Sequence, residues 1–367
     1  MVAELGRAAV PVGVIGVGNI SDTYLENLRS SYSPFVEVIG CADVIPERAR
    51  AAATRWALPR TYESVDDLLA DEQIRVVLVL TTPASHFEVC SAAVSAGKHV
   101  FVEKPISVSV DQASALVEHA AQVGVSIAVA PDTCLGTALQ LALQVVEDGR
   151  IGEPIAASAN MLCHGHEKWH PNPAFFYEPG AGPLMDMGPY YLSALLGLMG
   201  SVESVQASSQ ASFGQREVSS EPLKGTWIDV HVPTHVASTM RFERGGIATM
   251  VTSFDVWASQ APHLEIYGSS GTLVLPNPNW YDGQVLLWQV AGQEWVSLSP
   301  PVSANIDRRG LGLVDFVEAI AAGAQPRLDA SLGLHILDIM ESIGVSAKTD
   351  CLVPVSSRLS GPPLLQA

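Results

Sequence analysis

The chain has 367 residues, of which 48% are apolar and 16% are charged, and this balance is typical of a folded globular protein. At about 150 residues per domain, the length predicts two domains, each long enough to bury a sizeable core. The formal net charge of −18 excludes nucleic acids and anionic membranes as favoured general partners, because both attract basic surfaces.

The first third of the chain alternates short apolar runs with helical stretches. The run RVVLVL at residues 75–80 is nearly continuous Val and Leu, as in a parallel strand that is buried on both faces. Repeated strand–helix units of this kind predict a parallel, doubly wound sheet. The predicted strands are 10–16, 35–42, 75–80, 99–102 and 125–130, and the predicted helices are 19–30, 46–56, 84–96 and 110–123.

The pattern changes after Pro131. A helix at 136–149 is followed by short strands with Gly, Pro and Asn between them, and Arg244-Gly245-Gly246 marks a tight hairpin. This half is predicted to be a mostly antiparallel sheet with one helix, residues 186–199, packed on it. The predicted strands are 154–163, 203–213, 226–231, 234–243, 246–255, 262–267, 271–275 and 284–290, and helices at 311–322 and 331–347 close the chain.

The first predicted strand runs into a Gly16-x-Gly18-x-x-Ser21 motif at the start of the first helix. Gly16 permits a tight turn, and Gly18 lets a pyrophosphate approach the backbone at the helix N-terminus, beside Asn19 and Ile20. Ser21 in place of a third glycine weakens the match, so an ordinary glycine-rich turn is the alternative interpretation.

An acidic residue, Asp43, lies just past the second predicted strand. A carboxylate at this point accepts hydrogen bonds from the adenosine ribose hydroxyls and repels the 2′-phosphate of NADP. The motif therefore predicts a dinucleotide site that favours NAD over NADP. Two alternatives stay open. Asp43 could serve merely as the cap of the helix that starts near Pro46, and Arg48 could bind a phosphate, which would weaken the preference for NAD.

Three further segments carry a family resemblance. Thr81-Thr82-Pro83-Ala84-Ser85-His86 and Glu103-Lys104-Pro105 each follow a predicted strand, and a G-x-G-x-x-x-D-x-G-x-Y segment from Gly180 to Tyr190 opens the helix of the second half. Together with the N-terminal motif, they resemble the glucose-fructose oxidoreductase / inositol dehydrogenase / rhizopine-catabolism (Gfo/Idh/MocA) family over nearly the whole chain.

The resemblance implies an α/β fold with two domains. Residues 1–131 would form a Rossmann domain with a doubly wound parallel sheet. Residues 132–367 would form an α+β domain for substrate binding and oligomerisation, built on an open, mostly antiparallel sheet. The closing helices, 311–347, are expected to pack back toward the Rossmann domain.

The resemblance also implies hydride transfer between NAD and a secondary alcohol or ketone of a sugar, glycoside or cyclitol. Lys104 would be the active-site lysine and Asp186 its acidic partner. Tyr190 stands where many members have histidine and where relatives of glucose-fructose oxidoreductase and dimeric dihydrodiol dehydrogenase have tyrosine. The residues expected to contact the cofactor are Gly16, Gly18, Asn19, Ile20, Asp43, Thr81, Thr82, Pro83, His86, Glu103 and Lys104.

The chemistry of these side chains supports proton transfer. A phenol has an unperturbed pKa of about 10, and a nearby ammonium lowers it, so Lys104 and Tyr190 could together act as a base. Asp186 would hold the lysine or the substrate hydroxyl. Alternatively, Asp186 only caps its helix, Tyr190 is half-buried core, or the neighbouring Tyr191 takes the role.

Residues 164–170, His-Gly-His-Glu-Lys-Trp-His, form a second dense feature, called here the histidine loop. His-x-His suits zinc or manganese, but spacing alone is insufficient, and we predict no metal. We favour sugar recognition, with His166 or His164 sharing proton transfer, over a structural loop with solvated histidines. The expected substrate contacts are Asp132, His164, His166, Lys168, Trp169 and His170, although Asp132 could instead cap the helix from Gly136.

The main hypothesis is an NAD-dependent oxidoreductase that acts on CH–OH groups. Two alternatives remain: a glycoside-cleaving enzyme that recycles NAD through a transient 3-keto sugar, and a non-catalytic NAD-binding regulator.

The resemblance implies a homo-oligomer, either a dimer or a tetramer. The five cysteines include no CxxC pair, which favours a reducing, cytoplasmic location, and we expect neither a secretory signal nor a transmembrane helix.

Overall fold

The protein is represented by a computed structural model that describes residues 8–299, 308–361 and 364–365. The described residues divide into two compact units. The first unit contains residues 8–133, 308–334 and 360–361, and the second contains residues 134–299, 335–359 and 364–365.

The elements of the N-terminal part follow the predicted alternation of strands and helices. A short strand and helix at 60–70 were not predicted, because two residues of strand carry no readable period. In chain order the elements are β1 (Val10–Ile15), α1 (Asn19–Arg29), β2 (Val36–Ala42), α2 (Pro46–Trp56), β3 (Arg60–Thr61), α3 (Val65–Ala70), β4 (Val76–Val79), α4 (Pro83–Ser95), β5 (His99–Val102), α5 (Val110–Val123) and β6 (Ile127–Val129).

The elements after residue 132 match the predicted strands within a few residues. Three strands, 215–217, 295–298 and 353–354, were not predicted. The elements are α6 (Thr137–Glu147), β7 (Pro154–Leu162), α7 (Pro183–Met199), β8 (Val202–Gln210), β9 (Gln215–Glu217), β10 (Trp227–Asp229), β11 (His235–Phe242), β12 (Ile247–Ser253), β13 (Leu264–Gly268), β14 (Gly271–Leu275), β15 (Val285–Gln289), β16 (Trp295–Leu298), α8 (Leu311–Ala322), α9 (Ala330–Thr349) and β17 (Val353–Pro354).

The first unit is built on a six-stranded sheet in the order β3-β2-β1-β4-β5-β6, with every pair parallel. All four residues of β4 are buried, as expected for a strand covered on both faces. The strand order reverses between β1 and β4. In open α/β sheets, ligands bind beyond the carboxyl ends of the strands at such a reversal, so this edge positions the cofactor motif.

The second unit is built on a nine-stranded sheet in the order β16-β15-β14-β13-β7-β12-β11-β8-β17. Only the β7–β12 pair is parallel, and the other neighbours are antiparallel. β9 and β10 form a separate two-stranded hairpin. The fold class predicted from the sequence is therefore confirmed, with a parallel sheet followed by a mostly antiparallel one.

The core of the second unit lies between one face of its sheet and the helices α7 and α9. Along β11, alternate residues including Val236, Met240 and Phe242 point inward and are buried. A Cβ on Gly188 of α7 would lie 3.3 Å from Met340 Sδ of α9, so the glycine permits the two helices to approach closely. Within the described ranges, no helix is long and apolar enough to cross a membrane.

Candidate active site

The glycine motif forms the turn between β1 and α1. Gly16 has φ +90°, and a Cβ there would lie 2.8 Å from the backbone nitrogen of Thr81, so a side chain is excluded. A Cβ on Gly18 would meet no described atom within 4 Å, which leaves the helix N-terminus open to a phosphate. Ser21 is buried, and its hydroxyl donates to Gly18 O at 2.6 Å, so this serine supports the turn. Asn19 and Ile20 form the first turn of α1.

Asp43 ties the glycine turn to the end of β2. Its Oδ2 accepts a hydrogen bond from Val17 N at 2.9 Å, and its Oδ1 accepts one from Ile45 N at 2.9 Å. A carboxylate has about four acceptor positions, so these two bonds leave capacity for ribose hydroxyls. The alternative role predicted for Asp43, support of the helix near Pro46, is partly present, because its bond to Ile45 N orders the turn that leads into α2.

The segment after β4 is held by a buried histidine. His86 Nδ1 lies 2.6 Å from Pro105 O and His86 Nε2 lies 3.1 Å from Thr81 O, and burial lowers the pKa of the imidazole. Thr82 and Pro83 begin α4. The hydroxyl oxygen of Thr81 is buried and has no hydrogen-bond partner among the described residues. An orphaned hydroxyl at this sheet edge is a fitting donor to a dinucleotide, whereas His86 acts by joining two backbone segments.

Glu103 fixes the backbone at Lys104. Its Oε1 accepts from the hydroxyl of Tyr24, a buried residue of α1, at 2.8 Å, and its Oε2 accepts from Lys104 N at 3.0 Å. The Lys104–Pro105 peptide is cis, and Lys104 is half-buried at the carboxyl end of β5. The geometry supports a positioning role for Glu103, and its predicted contact with the cofactor stays a prediction.

Asp132 is fully buried and holds the start of α8. Its Oδ2 accepts from Gly310 N at 2.8 Å and from Gly312 N at 3.1 Å, and Arg309 Nη1 lies 3.3 Å from its Oδ1. The carboxylate therefore caps α8 rather than the helix from Gly136. Its predicted contact with substrate stays a prediction, and these internal bonds favour a structural role.

Asp186 and His166 meet in the second unit. The helix α7 begins at Pro183, three residues earlier than predicted, so Asp186 lies within the first turn instead of capping it. Its Oδ2 lies 3.0 Å from His166 Nε2. The imidazole is enclosed by aromatic rings, with centroid distances of 4.1 Å to Phe176 and 4.7 Å to Phe254. His166 Nδ1 is buried and has no partner among the described residues.

Tyr190 and Tyr191 have different surroundings. Tyr190 lies four residues after Asp186, on the same face of α7, and is 7% exposed. The hydroxyl of Tyr191 donates to Asn160 O at 3.3 Å and lies 3.1 Å from His263 Nδ1. Burial raises the pKa of the Tyr191 phenol above its usual value. The choice between Tyr190 and Tyr191 for proton transfer stays a prediction.

The remaining side chains of the histidine loop face different neighbours. His164 stacks on Trp257 with ring centroids 3.4 Å apart, and Lys168 Nζ lies 4.1 Å from the centroid of the same indole. Trp169 is 63% exposed and edge-on to the ring of His170, whose Nδ1 accepts from a backbone amide. Burial lowers the pKa of both His164 and His170. In the parts of the chain that the structure describes, no three or more His, Cys, Asp or Glu residues are grouped as metal ligands.

A buried charged cluster, which was not predicted, lies beneath the histidine loop. Arg216 of β9 pairs with Glu167 of the loop and with Asp255 after β12, and the hydroxyl of Tyr177 donates to Glu167. These residues are far apart in the chain and carry no joint motif. The one local signal was Glu167, an acidic residue inside a loop rich in histidine.

Comparisons with known proteins cover most of the chain. A family model described as "Oxidoreductase family, NAD-binding Rossmann fold" matches residues 10–130, and one described as "GFO/IDH/MocA C-terminal domain" matches residues 139–274. The chain is 27% identical over 332 residues to the 1,5-anhydro-D-fructose reductase of Ensifer adhaerens, covering 89% of this chain and 92% of that protein. It is 25% identical over 267 residues to the myo-inositol 2-dehydrogenase of Thermotoga maritima, covering 72% of this chain and 75% of that protein.

Solved structures share the fold. An NAD binding oxidoreductase from Klebsiella pneumoniae superposes with a TM-score of 0.85 at 23% identity, covering 95% of this chain and all (100%) of that one. Levoglucosan dehydrogenase in complex with NADH superposes with a TM-score of 0.82 at 21% identity, covering 95% of this chain and 100% of that one. The two family models span most of the sequence and confirm the resemblance stated above. The chain therefore belongs to the Gfo/Idh/MocA family of oxidoreductases and carries its NAD-binding Rossmann domain.

Proposed function

We propose that the protein transfers a hydride between NAD and a secondary alcohol or ketone of a sugar, glycoside or cyclitol. The observation that carries the proposal is the His166–Asp186 contact in the first turn of α7, inside the segment that resembles the family motif. The names of the relatives support the substrate class, since one is an anhydro-D-fructose reductase and another an inositol dehydrogenase.

The residues of the first unit fit the cofactor. The open backbone at Gly18, the carboxylate of Asp43 and the orphaned hydroxyl of Thr81 match the groups that a dinucleotide presents: a pyrophosphate, ribose hydroxyls and further polar atoms. Bound NAD supplies the electrophilic nicotinamide carbon that accepts the hydride. The other tasks, which are binding, orientation and proton transfer, belong to the protein's side chains.

The proton-transfer roles are assigned to Lys104, Asp186 and Tyr190. His166 donates Nε2–H to Oδ2 of Asp186, and the carboxylate is assigned the task of binding a substrate hydroxyl. Tyr190, on the same helix face as Asp186, accepts the hydroxyl proton as the hydride leaves carbon. The ammonium of Lys104 stabilises the phenolate form of a tyrosine, whose unperturbed pKa of about 10 is too high for a base at neutral pH.

The histidine loop is proposed to recognise the sugar. Trp169 offers an exposed ring beside His166, and aromatic faces pack against the C–H groups of sugars. His164, Lys168 and His170 belong to the same loop and carry groups that bind hydroxyls. This arrangement favours a carbohydrate over a small aliphatic alcohol.

Assembly and location are part of the proposal. The face of the nine-stranded sheet opposite α7 carries residues that this chain alone leaves partly exposed, such as Ala156, Ser158, Thr249 and Val251. Covering this face with a second copy would bury them, so we expect a dimer or tetramer, measurable by light scattering after size-exclusion chromatography. A cytoplasmic location remains the expectation.

The test is a panel of sugars, glycosides and cyclitols incubated with the protein and NAD, with reduced cofactor followed by its absorbance. Stoichiometric formation of NADH with at least one compound is the expected result. Cleavage of a glycoside without net NADH would favour the NAD-recycling alternative. NAD binding without turnover of any compound would favour a non-catalytic regulator.

A further inference from the structure

The β9–β10 hairpin, residues 215–229, reaches into the core with one charged side chain. Arg216 is 4% exposed, whereas its strand neighbours Gln215 and Glu217 are exposed. Arginine is almost never buried in proteins unless it is paired, because removing its charge from water is costly. The partners of Arg216 therefore show which segments the hairpin stabilises.

The guanidinium joins two loops of the second unit. Its Nε and Nη2 lie 2.8 and 2.6 Å from Glu167 Oε1, its Nη1 lies 2.8 Å from Asp255 Oδ1, and Nη2 also donates to Phe254 O at 2.9 Å. The second oxygen of Asp255 accepts from the hydroxyl of Thr234 at 2.6 Å. One side chain of the hairpin thus fixes both the histidine loop and the end of β12.

Backbone contacts bind the hairpin to the same loop. Ser219 N and Ser220 N donate to Glu167 O at 2.9 and 3.1 Å, and the hydroxyl of Ser220 donates to His170 O at 2.6 Å. On the other side of His166, Gly165 has φ +71°, and a Cβ there would overlap the carboxylate of Glu167. The hairpin therefore holds the loop on the C-terminal side of His166, while Gly165 leaves room for Glu167 to turn inward.

His166 is located by the atoms that this cluster restrains. Its backbone directly precedes Glu167, and its ring packs 4.7 Å from the ring of Phe254, whose carbonyl is bound by Arg216. Both restraints converge on the imidazole that contacts Asp186 at 3.0 Å. A displacement of about 1 Å at a reacting group can lower a rate by roughly 100-fold, so such restraint matters for catalysis.

We propose that Glu167 and Arg216 are positioning residues of the reaction, which hold His166 in hydrogen-bonding contact with Asp186. The inference rests on the proposed function, because it gives His166 the task of orienting the Asp186 carboxylate. Neither Glu167 nor Arg216 needs to touch substrate or cofactor for this effect.

The kinetic test uses Glu167→Gln and Arg216→Lys, with Gln215→Ala as the matched control on the exposed face of β9. We expect both positioning variants to lower kcat by about tenfold or more, with the KM for NAD within about twofold of the original protein. Their pH–rate profile should also move, since the environment of the His166–Asp186 pair changes. Arg216→Met should be more impaired than Arg216→Lys, because the lysine restores the charge.

A second measurement does not depend on activity. Amide hydrogen exchange of residues 164–170 in Arg216→Lys should be at least about tenfold faster than in the original protein, while exchange in β1 and β4 stays unchanged. Ser220→Ala removes only the side-chain bond to His170 O and leaves every charge in place, so it replaces the charge variants in this measurement if they fail to fold. It should show a smaller increase in the exchange rate of residues 164–170.

The outcomes separate the two claims. If the original protein reduces no NAD with any compound of the panel, the proposed function fails, and hydrogen exchange alone still reports on the restraint of the loop. If the original protein is active and all positioning variants keep its kcat, pH profile and exchange rates, the inference is overturned while the proposed function stands.

Discussion

The imidazole Nε2 of His166 lies 3.0 Å from Oδ2 of Asp186, a contact that joins the histidine loop to the first turn of α7. Nδ1 of the same ring is buried and without a partner among the described residues. A neutral imidazole has one donor and one acceptor nitrogen, so the bond to a carboxylate requires the proton on Nε2. His166 therefore donates to Asp186 through Nε2.

Replacing His166 with Asn should impair turnover and leave cofactor binding intact. Loss of the oriented donor should lower kcat/KM by about 10- to 100-fold, the scale of one misplaced group in acid–base catalysis. NADH affinity, measured by fluorescence titration, should be unchanged. His231→Asn, at an exposed position of the second unit, is the control. A fully active His166→Asn protein would remove this residue from the mechanism.

Lys104→Ala should lower turnover by at least about 100-fold, because the variant loses the ammonium proposed to favour the phenolate of Tyr190. Steady-state kinetics with the best compound of the panel would measure this. Lys348→Ala, which removes an exposed lysine near the end of α9, should behave like the original protein. Equal rates for the two alanine variants would contradict the assigned role of Lys104.

Asp43→Asn should weaken NAD binding by about tenfold and narrow the preference for NAD over NADP. The physical reason is that charge-assisted hydrogen bonds contribute about 1.5–3 kcal/mol and that a carboxylate repels a 2′-phosphate. The dissociation constants of both cofactors, measured by calorimetry, test this. Glu37→Gln changes an exposed carboxylate on β2, the strand that precedes Asp43, and is the matched control. Tighter binding of NADP by the original protein would overturn the prediction.

His335 should make stability depend on pH. Burial lowers its pKa from 6.5 to about 4, and its Nε2 accepts from Val202 N at 3.0 Å. Between these two pKa values the unfolded chain binds the proton and the folded chain does not, so the free energy of unfolding falls as the pH falls from 6.5 toward 4. The full effect is of order 3 kcal/mol, from 1.36 kcal/mol per pKa unit.

The measurement for His335 is urea unfolding at several pH values between 4 and 7. His335→Asn keeps an acceptor for Val202 N and removes the titration, so its free energy of unfolding should fall less over this range. Other histidines with lowered pKa, such as His86, titrate in both proteins and cancel in the comparison. If the free energy of unfolding changed with pH equally in the two proteins, His335 would not contribute to the pH dependence of stability.

The sequence was sufficient for the fold class and for the glycine turn after the first strand. Continuous apolar runs such as residues 75–80 belong to buried parallel strands, because both faces of such a strand are covered. The Gly16-x-Gly18 turn could be predicted because its tight backbone geometry requires glycine at a fixed place after the first strand, whereas the cofactor contacts of this turn and of Asp43 stay predictions. Very short strands, such as Val353–Pro354, could not be predicted, since they exist only by pairing with a distant strand.

The long-range contacts of the candidate site were decided by tertiary structure. The sequence contained His166, Glu167 and Asp132, yet nothing local indicated that Glu167 pairs with Arg216, 49 residues away, or that Asp132 holds Gly310, 178 residues away. Buried charges select partners by burial and distance in the folded chain, and neither quantity has a local period in sequence. Composition, turns and family motifs thus came from the sequence alone. Which groups orient the proposed catalytic residues depended on long-range packing.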